Sequence, residues 1–99
     1  MTAAQTALAQ TYRDLAARCR AMAEGALDRS RADIALGVTG FAGPAGPGEE
    51  EGLVHFALAR RGRQTVHVER HFGAKGRGVI RVESLKTMLE MLEGAIKEE

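Results

Sequence analysis

The apolar positions of this 99-residue chain change rhythm as the chain advances. From Thr2 to Arg29 the spacing is helical. Leu8, Tyr12, Leu15, Cys19, Met22 and Ala26 fall at alternating steps of four and three, which places them on one stripe. Arg13, Arg18, Arg20 and Glu24 occupy the other side, and the abundant alanines favour helix intrinsically. Such a stripe serves either of two roles, packing on a sheet or pairing with a second helix.

Asp33 to Val38 hardly alternates and reads as a short strand interior to a sheet. Gly37 within it is a local weakness or a place where another backbone comes close. The strand runs into the stretch the chain is organised around, Ile34 to Gly48, which holds both prolines, Pro44 and Pro47. A buried strand that delivers a glycine-rich loop at its carboxyl end is a common way to build a ligand site. Gly40 to Gly52 is therefore loop, ending in a solvated acidic turn, Glu49-Glu50-Glu51.

Leu53 to Ala59 and Gln64 to Phe72 alternate as a strand pair around Arg60-Arg61-Gly62-Arg63. The apolar faces, Val54, Phe56 and Leu58 against Val66 and Val68, coincide only if paired residue numbers sum to an even value. Leu58 opposite Val66, or Ala59 opposite Thr65, satisfies this. A two-residue turn would put Val66 on the wrong side. The expectation is a three- or five-residue loop with Gly62 at positive φ, and His55, Ala57, His67 and Glu69 sharing the other face. A flexible basic loop, Gly73 to Gly78, leads to a second helix reaching about Lys97, whose apolar stripe is Val82, Leu85, Leu89, Leu92 and Ile96. The predicted fold is α/β in the order α-β-β-β-α. It is one domain over residues 1–99, with a small mixed sheet that contains an antiparallel hairpin and is packed by an N-terminal and a C-terminal helix.

Composition narrows the function more by exclusion than by assignment. An apolar fraction of 44% and a charged fraction of 27% are ordinary for a globular domain. A net charge of +1 supplies no global attraction for nucleic acid or an anionic membrane, so neither is an expected partner. One cysteine, Cys19, excludes an intrachain disulfide and fits a reducing cytoplasm. No apolar stretch approaches a membrane span, and the N-terminus lacks the features of a signal peptide. A cytoplasmic protein is expected.

Candidate chemistry is sparse. His67, Glu69 and His71 point to one face of a strand with His55 across the hairpin, but nothing fixes a complete ligand set, and no metal is expected. Arg60, Arg61 and Arg63 form a basic tip with no aromatic residues interleaved to stack bases. The basic cluster Lys75, Arg77 and Arg81 precedes or opens a helix, where Lys75 and Arg77 are candidate phosphate contacts. Ser30 and Ser84 have no recognisable base beside them, and Cys19 sits on an apolar stripe, so no catalytic residue is assigned.

The segment from Ala21 to Pro44 carries M-A-E-G-A-L at Met22–Leu27 and V-T-G-F-A-G-P at Val38–Pro44. Together with E-G-L-V-H-F-A-L-A at Glu51–Ala59, and more loosely Arg70 to Gly73 and Arg81 to Leu92, it resembles the C-terminal domain of the CinA family. That family includes competence/damage-inducible proteins and nicotinamide mononucleotide amidohydrolases. Residues 21–99 are family-like and 1–20 form a divergent helix in place of the family's usual G-A-V-S segment. The resemblance implies a site lined by Thr39, Gly40, Phe41, Ala42, Gly43 and Pro44. It also implies a nicotinamide-nucleotide-like ligand and no cofactor. The family's amidase reaction uses a serine in an E-S-C-T-G-G motif and the Tyr and Lys of a Y-S-N-x-x-K motif. This sequence contains neither, and Ala45 to Glu50 is shorter than the family's loop. The expectation is a truncated or degenerate relative, inactive alone, that binds a ligand or partner. The alternative is a deamidase completed by another chain or by missing upstream sequence. Loss of that half is expected to expose a sheet edge and an apolar helical face, giving a homodimer or higher oligomer.

Overall fold

The computed structural model describes residues 3–40 and 50–97, and for residues 4–12 the backbone alone. The elements are α1 (Ala3–Asp28), β1 (Ile34–Gly40), β2 (Leu53–Arg60), β3 (Val66–His71) and α2 (Arg77–Lys97). The α/β class and the α-β-β-β-α order agree with the pattern of the sequence. The strands form one sheet in the order β1-β2-β3. Both ladders are antiparallel rather than mixed, because β1 turns back beside β2 without the crossover a parallel neighbour requires.

The hairpin obeys the parity rule. Leu58 faces Val66, Phe56 faces Val68, Ala57 faces His67 and His55 faces Glu69. Residues 61–65 separate the strands, an odd loop of the longer expected length. Gly62 sits at φ 73°, and the Arg63 amide donates to the Arg60 carbonyl at 3.2 Å. A single positive φ at the third position of a four-residue turn is the type II geometry, which favours glycine there.

β2 is the centre of the molecule, with residues 53–59 all buried. Its alternate side chains enter two different layers. Ala57 and Ala59 pack with Ala35 of β1 against Cys19, Ala23 and Leu27 of α1. Val54 and Phe56 pack with Val38, Val68 and Phe72 against Ile80, Met88 and Met91 of α2. The first layer is built from small residues and is correspondingly thin. A Cβ added at Gly37 would stand 2.8 Å from the Cys19 carbonyl oxygen, so Gly37 is the site of close backbone approach.

That thin layer corrects the expected stripe of α1. Cys19 is buried as expected, but Met22 is half exposed and Ala26 is exposed, while Ala23 and Leu27 take the inner positions. A sheet face of Ala and Gly admits a helix presenting small side chains and turns a long one like Met22 outward. Leu8 and Tyr12 lie outside the described side chains.

α2 departs further. Its inner face is Ile80, Ser84, Thr87 and Ala95, with Met88 and Met91 partly buried. Of the expected core stripe, Val82, Leu85, Leu89 and Ile96 are each more than half exposed, and Leu92 is half-buried. Both sets recur at three and four, so spacing alone does not choose between them. Ile80 seats fully against Val54 and Phe56 in the first turn and sets the phase. Thr87 then faces inward at little cost, because its hydroxyl donates to the Glu83 carbonyl at 3.0 Å. Among the described residues no helix is long and apolar enough to cross a membrane.

Candidate functional site

The carboxyl end of β1 opens on a cavity of about 300 Å³ between the sheet and α2. Val38, Thr39 and Gly40 supply one wall and Val54 the floor, while Ile80, Arg81, Ser84 and Met88 of α2 supply the other wall. Gly40 lets the strand end lie close to its neighbour, since a Cβ there would be 2.7 Å from the Val54 Cα. The cavity is largely apolar, with Arg81 as the charged residue among its described lining residues and Thr39 and Ser84 as the hydroxyl-bearing ones. Such a lining suits a flat apolar ring carrying an anionic group nearby. The described lining holds no His, Asp, Glu or Lys that could serve Ser84 as a general base.

Of the expected site residues, Thr39 and Gly40 therefore line a cavity, whereas Phe41, Ala42, Gly43 and Pro44 lie outside the described residues. Lys75 and Arg77 are exposed, Lys75 in the turn closed by its amide on the Gly73 carbonyl and Arg77 at the first position of α2. Neither is among the residues lining this cavity. Arg81 and Ser84 lie within the first two turns of α2. Their place at the site depends on the phase of α2, which its two competing stripes leave open in the sequence.

The opposite sheet face carries the histidines. His55 and His67 stack with ring centroids 5.2 Å apart, and His55 Nδ1 lies 3.0 Å from His67 Nε2. Burial pulls both below the usual histidine range. His71 behaves oppositely. Its Nδ1 meets Glu50 at 2.5 Å and its Nε2 meets Glu69 at 2.7 Å, and these carboxylates push it up. The three rings share a face, as their spacing places them, yet divide into two hydrogen-bonded groups instead of converging on one point. Glu50, expected to be only a solvated turn residue, closes this group across the sheet edge.

The basic hairpin tip is likewise more than solvated charge. Arg61 Nε donates to the Ala32 carbonyl at 2.8 Å, and its Nη2 donates to Ser30 at 2.7 Å and Leu27 at 3.1 Å. It ties down carbonyls at and just beyond the end of α1, sharing that of Leu27 with the Ser30 amide and hydroxyl, and uses the fork geometry of a guanidinium. Cys19 is a core residue. Its thiol donates to the Gly37 carbonyl at 3.2 Å, and burial pushes its pKa up, away from reactivity.

Against known proteins, the CinA C-terminal domain family matches residues 3–96. The chain belongs to this family. A CinA-like protein of Gloeobacter violaceus is 44% identical over 80 residues, covering 78% of this chain and 18% of the relative. A putative competence-damage inducible protein of Symbiobacterium thermophilum is 64% identical over 47 residues, 46% of this chain and 11% of the relative. Among solved structures, the competence damage-inducible protein A of Klebsiella pneumoniae superposes with a TM-score of 0.72 at 32% identity. It covers 80% of this chain and 49% of that one. The competence/damage inducible protein CihA of Agrobacterium tumefaciens gives 0.69 at 47% identity, over 74% and 46%. The chain thus spans under a fifth of these curated relatives and just under half of the solved CinA chains.

Proposed function

We propose that this CinA C-terminal-type chain is a non-catalytic ligand-binding module, and that its cavity takes a nicotinamide mononucleotide-like ligand. One observation carries the reading. The end of β1, where the family's V-T-G-x-A-G-P segment stands, shares a cavity with a cation and a hydroxyl contributed by α2. The apolar lining of Val38, Val54, Ile80 and Met88 suits the pyridine ring, and Arg81 suits the phosphate of such a ligand. By resemblance to the family, Phe41, Ala42, Gly43 and Pro44 are proposed as further ligand contacts, with Lys75 and Arg77 proposed for an extended phosphate. The described lining, which holds no base, supports binding without turnover. The compartment proposed is the reducing cytoplasm, where Cys19 remains a thiol.

A second reading is favoured by the coverage of the solved relatives. Here the same wall belongs to a nicotinamide mononucleotide amidase whose nucleophile comes from outside these 99 residues. Water and the mononucleotide give nicotinate mononucleotide and ammonia. The test titrates the purified chain with nicotinamide mononucleotide by calorimetry and assays ammonia release in parallel. The first reading expects saturable heat, no ammonia, and binding at least tenfold weaker in Arg81→Ala, a loss of about 1.4 kcal/mol or more. Turnover by the chain alone refutes the non-catalytic reading, and absence of any binding refutes the ligand.

A further inference from the structure

The outward stripe of α2 has an order that a random exposed face lacks. Val82, Leu85, Leu89, Leu92 and Ile96 alternate steps of three and four, the a and d positions of a heptad. Counted at 3.6 residues per turn, the stripe lies on the order of 140° around the helix from the face that meets the sheet. Its two margins differ. One carries Arg81, Met88 and Ala95, and the other carries Lys86 and Glu93, opposite charges seven residues apart. Lys86 reaches Glu83 of its own helix at 3.6 Å, an exposed contact that a facing carboxylate can share.

These charges discriminate between ways of covering the stripe with a copy of itself. A parallel pair sets Arg81 beside the partner's Lys86, like against like. An antiparallel pair with Leu89 opposite the partner's Leu92, and Leu85 opposite the partner's Ile96, sets Lys86 beside the partner's Glu93, and does so twice by symmetry. Shifting that register by one heptad would oppose Lys86 to itself. We propose that α2 is a self-docking surface, and that two copies of the chain pair through antiparallel α2 helices about a two-fold axis near residues 90 and 91. The contact is isologous, so it closes at a dimer. Val82 sits at its rim. This inference uses the outer face of α2 and stands whether or not the cavity binds a nucleotide.

The test is sedimentation equilibrium of the full chain from low micromolar to 200 µM. The expected result is a reversible dimer. Leu89→Glu, on an exposed position, is expected to give a monomer with unchanged helix content by circular dichroism. Lys86→Glu and Glu93→Lys are each expected to weaken the dimer roughly fivefold, and the double charge swap to restore it. Should Leu89→Glu disturb folding, the charge series decides alone. A chain monomeric at every concentration overturns the proposal, including one whose stripe is covered only by a different protein. A dimer that survives Leu89→Glu in folded form, or that ignores the charge swaps, overturns it as well.

Discussion

Replacing Gly37 with alanine tests the closeness of α1 to the sheet directly. The new Cβ would sit 2.8 Å from the Cys19 carbonyl oxygen, 3.2 Å from the Ala23 nitrogen and 3.4 Å from the Ala23 Cβ. The first distance is about 0.6 Å short of the 3.4 Å at which ordinary contact begins. The obstacle is helix backbone, which cannot rotate out of the way as a side-chain tip can. Relief requires α1 to lift from β1, loosening Cys19, Ala23 and Leu27 together and stretching the thiol bond to the Gly37 carbonyl. Overpacking of this kind costs about 1–3 kcal/mol, offset by the ~0.4–1 kcal/mol gained from a less flexible unfolded chain. The net expectation is a loss of about 1–2 kcal/mol, or a fall in Tm of roughly 5–15 °C for a domain of this size. Urea and thermal unfolding followed by circular dichroism read it. Gly25→Ala is the internal control, because a Cβ there meets nothing within 4 Å. In the last turn of α1 it should be neutral or gain up to ~1 kcal/mol. A Gly37→Ala protein as stable as the parent would show that the helix does not lie where the small-residue layer puts it.

Two further outcomes follow from the side-chain contacts. Arg61→Ala should lower stability by about 1 kcal/mol, discounted for exposure, with Arg61→Lys no better because an ammonium cannot span three carbonyls; matched urea titrations of the three proteins measure it. For His71, a folded pKa raised by Glu50 and Glu69 means its stabilisation is full below the unfolded value and lost as pH rises through the raised one. His71→Gln should therefore lower the urea midpoint most near about pH 6 and leave it unchanged well above the raised value; a gap that widens with pH contradicts the assignment. His55 and His67 act in the opposite sense, their lowered values withdrawing stability as pH falls below the ordinary histidine range.

The hairpin was legible in the sequence because a strand period of two leaves little freedom. Once Val54, Phe56 and Leu58 share a face with Val66 and Val68, the loop length must be odd and Gly62 is the residue able to turn it. Gly37 was legible as one of two alternatives, and the small-residue layer selects close approach. The phase of α2 was not legible. Its leucine stripe is the more hydrophobic of two equally periodic sets, and the choice is made by Ile80 fitting Val54 and Phe56, a tertiary fact. The candidate site inherits this division. Thr39 and Gly40 are readable from strand and loop chemistry, whereas Arg81 and Ser84 join them only once the helix is correctly rotated. In the sequence Arg61 reads as a tip charge, because its acceptors lie about thirty residues back in the chain, at and just past the end of α1.

The two layers flanking the sheet are held with unequal firmness. α1 lies across β1 and β2 through a dense seam of small residues, while α2 meets the sheet chiefly at β2 with two methionines filling the gap. Thin, well-filled seams open rarely, and methionine-lined ones repack readily. The cavity lies in the compliant seam, its strand wall belonging to the sheet that α1 braces and its arginine and serine to α2. A guest seated there would bridge the halves, and slowed amide exchange along Ile80 to Met88 would be its imprint. In this architecture occupancy and the anchoring of the last helix are one equilibrium.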